Sequence, residues 1–153
     1  MSNPLGDDIS KAIYNSTRKK VESLWYASEE GDVKHVKEII DAGNHDVNGL
    51  NYWQVDIDPR GWQRTPLHTA ALNGRLEVAK FLISKGANVN ALTKYLDTPL
   101  HFAVAQGHAD VARLLLERGA DLHAKNDDGD TPLDLAEKSR DQEMIAVFEK
   151  RRK

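Results

Sequence analysis

Six histidines are spread through a chain of 153 residues that has no cysteine. An imidazole can act as general base, proton donor or metal ligand. His68 and His101 each follow Thr-Pro-Leu at the same interval, and a residue that recurs at a fixed period is more often structural. Each ring is then expected to satisfy backbone or threonine groups between repeated units. His108 and His123 read as solvated, and His35 and His45 have no partner at a metal-ligand spacing. Asp56 and Asp58 are a weak basis for a His/Asp metal set. Asp127, Asp128 and Asp130 around Gly129 sketch a calcium loop but lack the spacing and closing Glu of an EF-hand, so a solvated acidic finger is the better reading. No Ser–His–Asp order, phosphate-cradling glycine loop or paired carboxylate assembles. Lack of cysteine removes disulfides, thiolate zinc sites, iron–sulfur clusters and a cysteine nucleophile. No catalytic residue, metal or cofactor is expected.

The elements that hold these residues recur along the chain. Thr65-Pro66-Leu67-His68, Thr98-Pro99-Leu100-His101 and Thr131-Pro132-Leu133-Asp134 keep a constant 33-residue register. Ala70, Ala103 and Ala136 keep it too, as do Gly74 with Gly107 and Gly86 with Gly119. A fainter copy lies upstream, where Leu24, Ala27, Gly31 and Gly43 align and Glu22-Ser23-Leu24-Trp25 replaces Thr-Pro-Leu-His. That copy carries ten extra residues, placed in the stretch 48–64.

These residues resemble the ankyrin repeat. The resemblance implies an all-α solenoid of helix-turn-helix units with projecting β-hairpin-like fingers. It also implies a curved stack whose fingers and first helices line a concave side. The expected organisation is an N-terminal capping extension over 1–21 and a repeat domain over 22–153. Its units are 22–64 with the expanded finger, 65–97, 98–130 and a C-terminal cap, 131–153. Asp7 or Asp8 could cap a helix through Ile9, Ile13 and Val21.

Local chemistry agrees with the repeat. Thr caps a helix, and Pro suits its first turn because the missing N–H is not needed there. Val78, Phe81 and Leu82, like Val111, Leu114 and Leu115, have the spacing of a buried helical stripe. The last unit departs from the pattern: Asp134 stands in the histidine slot and Arg140 in a glycine slot, which leaves its helix–helix turn open.

A non-catalytic protein-binding module follows from this frame, acting as adaptor, inhibitor or assembly chaperone. The expected contact residues are Trp62, Arg64, Leu72, Asn73, Leu92, Tyr95, Asp97, Phe102 and Gln106, with Trp53 and Asp128 at the margins. Trp, Tyr and Arg are enriched in binding hot spots. Trp53 and Trp62 could equally fold back on the first repeat, and Leu72 and Phe102 could be part-buried between helices. Asn90 resembles the finger asparagine hydroxylated in some ankyrin repeats. An engineered binder of this type is an alternative, although the irregular repeats fit consensus design poorly.

Charge is uneven beneath a net of −3: an acidic middle lies between basic ends. Arg18-Lys19-Lys20 and Lys150-Arg151-Arg152-Lys153 could touch nucleic acid or an anionic surface, but the acidic body disfavours it. No apolar run reaches the length of a membrane span, and the polar, acidic start does not read as a secretory signal. An intracellular protein is expected, cytoplasmic or nuclear, monomeric alone, with a protein partner and no small-molecule substrate or membrane.

Overall fold

The computed structural model describes residues 24–43, 45–50 and 63–152. The expected cap at 1–21, Trp53, Trp62, Asp56 and Asp58 lie outside the described residues. Eight helices and no strand are present among those described: α1 over 24–30, α2 Val33–Asp41, α3 Pro66–Leu72, α4 Leu76–Ser84, α5 Pro99–Ala105, α6 Ala109–Glu117, α7 Pro132–Ser139 and α8 Gln142–Arg152. Contacts run from α3 to α5 to α7, and from α2 to α4 to α6 to α8. The first helix of each unit therefore builds one layer and the second builds another, as in a solenoid.

Capping starts the inner helices. Thr65, Thr98 and Thr131 are extended, and each side chain accepts the backbone N–H three residues on, with Pro next in line. Leu67, Ala70, Leu100, Ala103 and Ala136 are completely buried. Alanine at this point lets neighbouring inner helices approach closely. Val36, Val78, Leu82, Val111, Leu115, Met144 and Phe148 supply the outer layer's share of the core. Phe81 departs from the expected stripe: it is only half-buried, with the Lys85 ammonium 5.5 Å from its ring.

The turn after α3 needs glycine for two separate reasons. Gly74 has φ of +67°, and a Cβ there would come within 2.5 Å of His108 Nδ1. Gly107 shares the left-handed φ, at +74°, but its Cβ would meet only Asp141 Oδ2 at 3.5 Å. Arg140 adopts the same left-handed conformation at φ 56°, so the last unit keeps the turn without the glycine.

The fingers turn as hairpins but are too short to make strands. Thr93 N–H donates to Asp97 O at 3.0 Å and Leu96 N–H to Thr93 O at 3.0 Å. Asn126, Asp130 and Gly129 repeat both bonds in the next finger, and Asp127 N–H donates to Tyr95 O at 2.9 Å, joining the two. The bonding also relocates part of the insertion. Asp46 accepts from Asn48 N–H, Asn88 from Asn90 N–H and Asp121 from His123 N–H, so these turns are equivalent. Asp46 lies three residues after Gly43, whereas Asn88 and Asp121 lie two after Gly86 and Gly119. One extra residue therefore precedes Asp46 and nine follow Asn48, a correction to placing all ten in 48–64.

Gly74→Ala and Gly107→Ala separate the two demands on the turn. The left-handed backbone costs each variant about 1 kcal/mol, and Gly74→Ala must also displace the His108 ring. Urea unfolding is expected to show the larger loss for Gly74→Ala.

Candidate functional site

The recurring histidines join one repeat to the next. His68 Nδ1 accepts the Thr65 N–H at 3.1 Å and lies 2.8 Å from the Thr65 hydroxyl. An acceptor Nδ1 leaves the proton on Nε2, which donates to Asp97 O at 3.0 Å. His101 makes the same set with Thr98 and donates to Asp130 O at 3.0 Å. Asp97 and Asp130 immediately precede the next Thr, so each ring fixes where the following helix begins. Both imidazoles are buried and fully used, which leaves neither as a catalytic base.

Trp25 does the same work in the first repeat. It occupies the histidine slot, and its indole Nε1–H donates to Arg64 O at 2.9 Å, the carbonyl before Thr65. Sequence reasoning had the alignment of Trp25 with His68 but did not assign it this bond. Asp134 ends the series: it accepts from the Thr131 N–H at 2.8 Å and hydroxyl at 2.9 Å, and has no proton to offer a further unit. Those bonds hold its carboxyl below the usual carboxylate range.

A second set of links lies at the loop edge. Asn48 donates through Nδ2 to Gly86 O at 3.2 Å and accepts the Asn88 N–H at 2.7 Å. Asn90 repeats this on Gly119 O at 3.2 Å and the Asp121 N–H at 2.8 Å. Asn90, the candidate for hydroxylation, thus stands in an exposed turn with both amide ends bonded across to the next repeat.

The expected contact residues separate into three groups. Leu92 is exposed by 51%, and Leu96, which the expected set left out, by 42%. Tyr95 is half-buried between them, with the Lys94 ammonium 5.9 Å from its ring. Gln106 and Asp128 are exposed as well. Leu72, Asn73, Arg64 and Asp97 are half-buried. Asn73 caps its own helix through Thr69 O at 2.9 Å. Asp97 accepts from Asn126 Nδ2–H at 3.1 Å, and burial raises its carboxyl above the ordinary range, with Asp127 and Asp128 adding to the rise. Phe102 is buried, against the expectation of a contact surface: its ring meets His68 edge-on at 5.7 Å, and the Arg64 guanidinium covers it at 5.7 Å. Tyr26, outside the expected set, is 61% exposed beside Glu29 and Glu30. Among the described residues no group of three His, Cys, Asp or Glu side chains could hold a metal ion.

The profile of ankyrin repeats, three copies, matches residues 24–126 and 94–148. A palmitoyltransferase of Naumovozyma castellii is 42% identical over 65 residues, which is 42% of this chain and 7% of that protein. Alpha-latrocrustotoxin-Lt1a of Latrodectus tredecimguttatus is 40% identical over 68 residues, 44% of this chain and 4% of its own length. An ankyrin repeat protein of Vaccinia virus is 39% identical over 57 residues, 33% of this chain and 10% of that protein. The chain therefore spans about a tenth or less of the length of these relatives.

Burial lowers the His68 pKa from 6.5 to about 4, so the folded chain keeps the ring neutral. The unfolded chain takes up that proton first as pH falls. The stability tied to the neutral ring is complete above pH 6.5 and is lost on going down toward about 4. The loss approaches about 3 kcal/mol at the acid end. The urea midpoint is expected to fall across this window, and His68→Gln, though less stable at neutral pH, to show a shallower fall.

Proposed function

The chain belongs to the ankyrin-repeat family, and from that premise we propose that it is a non-catalytic module that docks a partner protein across its fingers and first-helix face. Ankyrin repeats mediate protein–protein interaction. The roles that fit are adaptor, inhibitor or assembly chaperone, in the cytoplasm or nucleus. Among the described residues no helix is long and apolar enough to cross a membrane. The palmitoyltransferase likeness is to a small part of that protein, so it supports the repeat and not acyl transfer.

One observation carries the reading. Leu96 has φ of 60°, while Gly129 takes the equivalent turn position of the next finger at 79°. A left-handed backbone costs a leucine about 1–2 kcal/mol. The side chain recovers little of that by burial, since it remains 42% exposed. Strain kept without a folding gain is a mark of function. Leu92 stands four residues earlier on the same finger, and the Thr93 to Asp97 bond draws the two arms together. Exposed Asp127 and Asp128 belong to the finger bonded alongside. Together they offer apolar anchors with a charged border, the arrangement of a hot spot and its rim.

Leu96→Gly is expected to raise stability by about 1 kcal/mol and to weaken partner binding. The measurements are thermal unfolding and affinity for a partner captured from the source cell. A folded Leu92→Ala, Leu96→Gly chain that binds that partner with unchanged affinity would show that the docking face lies elsewhere.

A further inference from the structure

Asn48 and Asn73 are each followed by glycine, and the two Asn–Gly pairs sit in unlike surroundings. A glycine after asparagine leaves the next backbone nitrogen unshielded, so it can attack the side-chain amide. We propose that Asn48–Gly49 is a deamidation site gated by separation of the first repeat from the second. In the step, the Gly49 nitrogen bonds to Asn48 Cγ and loses its proton to water. The Cγ–Nδ2 bond breaks, and the nitrogen leaves as ammonia. Water then opens the five-membered imide, giving aspartate or isoaspartate at 48 with no change of oxidation state.

The fold holds both reacting groups. Asn48 Nδ2 is bonded to Gly86 O and its Oδ1 to the Asn88 N–H, both on the second repeat. Gly49 N–H donates to Asp46 O at 2.9 Å. The two Asn48 side-chain bonds belong to exposed groups at the edge of the stack, while Gly49 is half-buried, and local opening there needs no loss of the main core. Asn73–Gly74 is sealed more deeply. Asn73 is half-buried and bonded to Thr69 O within its own helix, and the His108 ring lies over Gly74, with Nε2 bonded to Leu72 O at 3.1 Å. Conversion at 48 also resists reversal: a carboxylate cannot donate to Gly86 O, and it adds a charge beside Asp46, which accepts the Asn48 N–H at 2.8 Å.

The full chain is incubated at mildly alkaline pH, native and in urea, and mapped by peptide mass spectrometry. In urea, Asn48 and Asn73 are expected to convert together, ahead of Asn88 and Asn90, which precede valine and alanine. In the native chain Asn48 is expected to convert about tenfold more slowly than in urea, yet faster than Asn73. Equal rates at Asn48 in both conditions, or a native Asn73 that outruns Asn48, overturns the proposal. Asn48→Asp mimics the product. Amides of α2 are expected to exchange about fivefold faster in it, with α5 and α6 unchanged. Unaltered exchange in α2 overturns the uncoupling.

Discussion

One bond sets the geometry of the stack: a ring N–H from one repeat donates to the carbonyl that precedes the next repeat's threonine. Trp25, His68 and His101 make it at 2.9, 3.0 and 3.0 Å. A two-helix unit cannot bury its own apolar faces, so each needs a neighbour at a defined distance and angle. The ring provides that definition because both its ends are committed. For His68 and His101 the Nδ1 end completes the cap of its own helix, and the Nε2 end positions the next cap. Burial then makes the arrangement costly to leave, since an opened ring strands a carbonyl and an N–H together.

A reverse set of ties complements it. Arg75 Nε–H donates to Glu29 O at 2.7 Å, and His108 Nε2–H to Leu72 O, each reaching back to the end of the previous inner helix. The glycines at those helix ends admit these side chains: a Cβ on Gly31 would meet Arg75 Cδ at 2.8 Å, as one on Gly74 would meet His108. An internal repeat is thus tied forward through its ring and backward through the residue that opens its second helix.

Period and residue type made the frame legible in the sequence. The Thr-Pro-Leu triplets marked helix starts and the recurring Ala marked close helix contact, because caps and packing are local or strictly periodic. The tryptophan link was not legible, since nothing in the residue types says that an indole can replace an imidazole as donor across an insertion. Partition of the ten extra residues was hidden for a similar reason: only the Asp46, Asn88 and Asp121 bonds show which turns correspond. Phe102 misled because its place on the repeat faces inward or outward depending on neighbours, and here Arg64 and His68 close over it. Arg140 carries no sequence signal for a left-handed turn, which the surrounding repeat imposes.

Every acceptor in the forward ring bonds and the reverse ties is a main-chain carbonyl. Arg64 stands in the same slot as Asp97 and Asp130 with the opposite charge, yet each accepts the same bond. Glu29 and Leu72 do so in the reverse direction. A joint that reads only backbone places no demand on the side chain at the receiving end. Mutation can therefore rewrite those positions without loosening the joint, and a duplicated or exchanged unit arrives already compatible. Architecture and surface are inherited separately in such a chain: a few donors preserve the first, while the residues they grip drift toward whatever the second must meet.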